Sequence, residues 1–86
     1  MDILENSELF KTLGHHLRLK IVYGLMTHAG CNVNDLALYL KAPQSTVSQQ
    51  LSILRRNRII APQKKGVKTC YRIIDKRVEN ILKILE

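Results

Sequence analysis

A mainly helical fold closed by a small β-hairpin, in the order α-α-α-α-β-β-α, is what this chain predicts, and three observations carry the expectation. Apolar residues recur at helical spacing in successive segments of the 86 residues. That period gives way to alternation after Asn57 and returns after Asp75. A tight turn, Lys41-Ala42-Pro43, joins the third and fourth helical segments, as in a helix-turn-helix. With a hairpin directly behind that pair, the fold class is a winged helix-turn-helix.

Each element has its own justification. Ser7 is read as the N-cap of a first short helix whose apolar side holds Leu9, Phe10 and Leu13, and Gly14 ends it. A second helix runs from about His16 to Met26, with Leu17, Ile21 and Leu25 on one face and Val22 beside them. Thr27-His28-Ala29-Gly30 breaks it. Asn32 or Asn34 can cap a third helix built on Val33, Leu36, Ala37 and Leu40. Pro43 suits the first position of the fourth.

The fourth helix, residues 44–57, carries most of the functional information. Val47, Leu51 and Leu54 stand at i, i+4 and i+7 and share a buried face. At about 100° per residue, Ser45, Gln49, Ser52 and Arg56 gather on the opposite face, flanked by Thr46 and Ser48. A merely solvated face usually mixes Glu with Lys, which favour the helix and add charge pairs. Here no Asp or Glu occurs from 44 to 58. Short hydroxyls, carboxamides and a guanidinium are the groups that reach base edges and phosphates in a DNA groove. Gln44, Ser45, Thr46, Ser48, Gln49, Ser52 and Arg56 are therefore the candidate groove contacts, and Gln49 is the best base reader.

Ile59–Lys64 and Lys68–Ile74 read as two strands joined around Lys65-Gly66-Val67, with Gly66 able to supply a positive φ. Pro62 cannot donate to a ladder, so the first strand must be an edge or irregular there. The 62–69 segment forms a basic wing, in which Lys64, Lys65 and Lys68 are candidate backbone or minor-groove contacts. Asp75 can cap a last helix with Val78, Ile81, Leu82 and Leu85 on one stripe and Ile84 beside it. That stripe either closes the core or pairs with the first helix and with a second copy. The second reading makes Leu9, Phe10, Leu13, Val78, Ile81, Leu82 and Leu85 the candidate dimer interface.

Composition narrows the function. Residues 1–86 are one domain's worth of chain, and 45% apolar with 24% charged residues is a globular balance. Net charge is +7, and Arg55, Arg56, Arg58, Lys64, Lys65, Lys68, Arg72, Lys76 and Arg77 concentrate in one quarter of the chain. That concentration is a footprint for a polyanion. A membrane surface would also attract it, but the basic run lacks an aromatic-rich apolar face. An acidic N-terminus and the lack of a long apolar run speak for a cytoplasmic protein, with Cys31 and Cys70 as thiols by default. No nucleophile–base arrangement, phosphate loop or carboxylate pair suggests an enzyme, and no cofactor is implied. His15, His16 and His28 form no ligand set.

The wording Pro43-Gln44-Ser45-Thr46-Val47-Ser48-Gln49-Gln50-Leu51 with Leu54-Arg55 closely resembles the ArsR/SmtB family of bacterial winged-helix repressors. Leu13-Gly14-His15-His16-Leu17-Arg18-Leu19-Lys20-Ile21, Val33-Asn34-Asp35-Leu36-Ala37 and Tyr71-Arg72-Ile73 resemble three further segments of that family, in the same order. The resemblance implies a homodimer built on the first and last helices that binds an inverted-repeat DNA operator and represses transcription. Many members release DNA on binding a metal or on cysteine oxidation. Metal sensors of the family open the third helix with Cys-Val-Cys, where this chain has Asn32, Val33 and Asn34. Neutral amides replace thiolates poorly at a soft-metal site. The last helix, Lys76–Glu86, lacks the His of the other familiar site. No metal is expected, and the chain resembles members without metal sites.

Two alternatives stand beside the repressor. Cys31 precedes the third helix and, in a winged helix, that segment can run beside the strand holding Cys70, so a redox-responsive repressor is one. A winged-helix protein-interaction module is the other, but it would need an aromatic or aliphatic anchor on the polar 44–56 face, and none is there.

Overall fold

The computed structural model describes all 86 residues as five helices and one hairpin. In chain order these are α1 (Ile3–Leu13), α2 (His16–Met26), α3 (Val33–Leu40), α4 (Gln44–Arg56), β1 (Ile60–Lys65), β2 (Lys68–Ile73) and α5 (Lys76–Leu85). This is the winged helix-turn-helix order expected from the sequence. No helix is long and apolar enough to cross a membrane.

The first helix starts earlier than expected. Asp2, not Ser7, is its N-cap, accepting from the Glu5 amide at 3.0 Å. Both residues are good caps, and the apolar spacing from Leu9 onward does not distinguish between them. The added turn exposes Ile3 and Leu4. His15 caps α2 through Nδ1, which accepts from the Leu17 amide at 3.1 Å. Asn32 rather than Asn34 caps α3, accepting from the Asp35 amide at 2.8 Å. Asp75 caps α5 as expected. Pro43 is the residue before α4 and not its first turn, and no side chain caps that helix.

Three helices stop in the same way. After α2, Ala29 N–H reaches the Gly24 carbonyl and His28 N–H that of Leu25. After α3, the pairs are Ala42 with Ala37 and Lys41 with Leu38, and after α4 they are Ile59 with Leu54 and Arg58 with Arg55. These are the paired bonds of Schellman motifs. The residue each requires in the left-handed region is His28, Lys41 or Arg58, with φ of 61°, 55° and 58°. A basic side chain there suits the negative end of the helix dipole, although a glycine would fit the backbone without strain.

The core joins the elements into one cluster. Leu9 and Leu13 of α1, Ile21, Val22 and Leu25 of α2, and Leu36, Ala37 and Leu40 of α3 meet Val47, Leu51 and Leu54 of α4. Ile59, Ile60, Val78 and Leu82 close it. The helix-turn-helix is therefore mounted on α2, and α4 keeps its apolar stripe wholly inside.

The hairpin is a two-stranded antiparallel sheet in which Ile60 pairs with Ile73, Gln63 with Cys70 and Lys65 with Lys68. Gly66 and Val67 form the turn, and Gly66 alone there has positive φ, 65°, as a type II′ turn requires. Pro62 lies opposite Tyr71, whose N–H turns away from β1 to the Cys31 carbonyl at 2.8 Å. The ladder asks no N–H of Pro62 at such a position. The same bond lays the segment before α3 along the outer edge of β2.

Candidate nucleic-acid interface

The outer face of α4 emerges as its sequence pattern requires. With Val47, Leu51 and Leu54 at most 2% exposed, geometry drives Ser45, Ser48, Gln49, Ser52 and Arg56 to the surface, with Thr46 half-buried at the margin. The side-chain hydrogen bonds made by this helix belong to two other residues. Gln50 accepts from Arg18 at 2.9 Å, and Gln44 donates from Nε2 to Oδ1 of Asn34 at 2.7 Å. The five exposed side chains are thus uncommitted, whereas Gln44 is tied to the junction of α3 with α4. The amide of Gln44 thus serves to fix the turn.

The charge around this face is also uncommitted. Both ion pairs of the chain are made by Arg77, with Asp75 at 2.7 Å and Glu5 at 3.6 Å. Arg55, Arg56, Lys64, Lys65 and Lys68 are exposed and have no acidic partner. Lys65 and Lys68 stand directly opposite each other beside the turn. Like charges so placed repel across a hairpin, and an anion between or beside them relieves the repulsion. Val67, 96% exposed, projects from the tip.

The residues expected at a dimer face divide by exposure. Leu9, Leu13, Val78 and Leu82 are between 0% and 6% exposed within this single chain, so they belong to its core. Helical spacing gathers a stripe but does not say which edge of it the chain's own core consumes. Phe10 and Leu85 are exposed, at 58% and 68%, and Ile81 is half-buried. Ile3, Leu4 and Ile84, not singled out from the sequence for this role, are exposed by 64%, 75% and 83%. They extend the apolar surface of α1 and α5.

Asn32 and Asn34, which stand where metal sensors carry cysteines, both have structural work. Asn32 is buried, caps α3 and donates to Oδ2 of Asp35 at 3.1 Å. Asn34 holds Gln44. No group of three or more His, Cys, Asp or Glu converges anywhere in the chain. His15 and His16 stack with ring centroids 5.1 Å apart.

Cys31 and Cys70 are joined in a disulfide, with Cα atoms 4.6 Å apart. This overturns the default expectation of two thiols. The backbone bond from Tyr71 to Cys31 holds the two segments side by side, which brings the sulfurs within reach across 39 residues of sequence. That register was not readable from spacing alone.

Comparison with known proteins agrees with this geometry. Residues 15–61 match the sequence model of "Bacterial regulatory protein, arsR family". The chain is 40% identical to the transcriptional repressor PagR of Bacillus anthracis over 85 residues, which span 99% of this chain and 85% of that protein. The PagR crystal structure superposes with a TM-score of 0.88, covering 100% of this chain and 98% of that one. The transcriptional repressor BigR from Xylella fastidiosa is 30% identical with a TM-score of 0.84, over 94% of this chain and 82% of that one. Reduced HlyU from Vibrio cholerae is 25% identical with a TM-score of 0.87, over 95% and 85%.

Proposed function

Because the chain belongs to the arsR family of bacterial regulatory proteins, we propose that it is a cytoplasmic transcriptional repressor that binds an inverted-repeat DNA operator as a homodimer. Residues 1–86 act as one DNA-binding domain. The observation that carries this reading is the outer face of α4, where Ser45, Ser48, Gln49, Ser52 and Arg56 are exposed, uncommitted and free of acidic neighbours. These residues, with Thr46 at the edge, enter the major groove. Gln49 reads adenine through a bidentate carboxamide contact, worth about 1–3 kcal/mol of discrimination. Lys64, Lys65 and Lys68 hold the backbone from the wing. Phe10, Ile81 and Leu85, joined by Ile3, Leu4 and Ile84, form the dimer face. This reading assigns no catalysis, cofactor or metal.

Selection from a random duplex pool at physiological salt tests it. An enriched inverted repeat, with half-sites about one helical turn apart, is the expected product. Retention of all sequences alike, lost in modest salt, would instead mean a nonspecific polyanion surface.

The Cys31–Cys70 bridge favours a second reading within the same function, a repressor responsive to redox state. The bridge ties β2 to the segment that opens α3, so it restrains the wing from adjusting to the groove. The reduced protein then binds its operator more tightly than the bridged one, by about tenfold. Titration of the selected duplex with each form measures this, and equal affinities would contradict it.

A further inference from the structure

A cleft of about 640 Å³ opens where the hairpin, the segment before α3 and α5 meet, and both bridged cysteines line it. We propose that this cleft binds a low-molecular-weight thiol carrying carboxylates and an ammonium group, and presents that thiol to the Cys31–Cys70 bridge. The inference rests on the redox reading above and adds the reductant's chemistry and its site.

The pairing register builds the cleft's charge. Directly opposed residues of an antiparallel pair share a face, so Lys65, Cys70 and Arg72 lie on one side of the hairpin. From α5, Glu79 and Lys83 stand at i and i+4 and turn the same way. Arg72 and Lys83 are free of ion pairs, since both pairs of the chain belong to Arg77. Three cations thus meet carboxylates, and Glu79 meets an ammonium. Asp35, also on the wall, is held by the Asn32 amide at 3.1 Å. The volume lies in the range of ordinary small-molecule sites. A wall that combines a disulfide with both signs of charge suits a zwitterionic thiol better than a neutral one.

The chemistry is thiol–disulfide exchange. The bound thiolate attacks Sγ of Cys31, the more exposed of the pair. A bond forms between the two sulfurs, the bond to Cys70 breaks, and Cys70 leaves as a thiolate that takes a proton from water. A second thiol molecule attacks its own kind in the mixed disulfide. It releases Cys31 and departs as the small disulfide, so two thiols are oxidised and one bridge is reduced. On α5, Ile81 and Leu85 of the dimer face proposed above lie on the side opposite to Glu79 and Lys83.

The test uses the bridged full-length protein, with glutathione as the zwitterionic probe and 2-mercaptoethanol as the neutral one. After allowance for thiol basicity, glutathione is expected to reduce the bridge about tenfold faster per thiolate, with saturation. S-methylglutathione, which cannot react, is expected to compete. Arg72→Gln with Lys83→Gln should erase the advantage and leave the 2-mercaptoethanol rate unchanged. Equal rates for the two thiols, or a glutathione advantage that survives the double variant, would overturn the proposal. The redox reading fails separately. Equal operator affinities of bridged and reduced protein would sink that reading, whereas a loss of thiol selectivity with unequal affinities would sink this inference alone.

Discussion

Arg18 on α2 donates from Nη1 to Oε1 of Gln50 at 2.9 Å, and its Nε holds the Thr12 carbonyl of α1 at 2.7 Å. One half-buried guanidinium therefore ties the end of α1 to the flank of the recognition helix. Replacing it with alanine should cost about 1.5–3 kcal/mol, the range for hydrogen bonds to a charged group. Urea unfolding reads that loss. Operator affinity should fall with it because α4 loses a mount, while the salt dependence of binding stays the same. A flattened salt slope would place Arg18 on a phosphate instead.

Gln49 and Lys65 should fail in different ways. Gln49→Ala is expected to lose about 1–3 kcal/mol of discrimination between the operator and a site altered at one base. Lys65→Ala should weaken all sequences alike and lower the salt slope by about 0.9 per lost contact, doubled in a dimer. Titrations of both duplexes across a salt series separate the two. Equal loss of discrimination from both variants would contradict this division of labour.

Much of this site was legible in the sequence because a helical period is unforgiving. Once Val47, Leu51 and Leu54 are inside, Gln49 and Ser52 must be outside. The two neighbouring glutamines show where that reasoning stops. Arg18, 32 residues away, claims Gln50, and Asn34 claims Gln44. Long-range side-chain pairing leaves no periodic trace. The same holds for Leu9, Leu13, Val78 and Leu82, whose spacing alone does not show that the chain's own core buries them. The cysteine bridge depends on strand register set by Tyr71 and Cys31, which no local motif encodes.

The three non-glycine Schellman positions offer a stability test. Lys41 holds φ 55° and ψ 45° after α3, a conformation that strains any residue with a Cβ. Lys41→Gly should raise stability by about 1 kcal/mol, measured as a shifted urea midpoint with an unchanged slope. A lower midpoint would mean that the lysine's charge at the helix end outweighs its backbone strain.

Asp75 gives a pH signature. Its hydrogen bonds from the Arg77 side chain, at 3.0 and 2.7 Å, hold its carboxyl below the ordinary value of 3.8, helped by the Arg77 and Val78 amides and the Arg77 charge against the opposing effect of burial. A carboxyl lowered on folding stabilises the protein above its ordinary value, and the contribution is lost as pH falls through the lowered one. Asp75→Asn keeps a cap acceptor for α5 but removes the charge. Its acid unfolding should therefore show a shallower loss of stability below pH 3.8 than the parent protein. Identical acid profiles would mean that the pair with Arg77 does not persist in solution.

The most direct measurement is an amide chemical-shift map of the labelled protein titrated with its selected duplex. The shifts are expected to concentrate on residues 44–56 of α4 and on Lys64–Lys68 of the wing, with α5 unaffected. Shifts centred on α1 and α5, or confined to the wing with α4 silent, would contradict recognition by the outer face of α4.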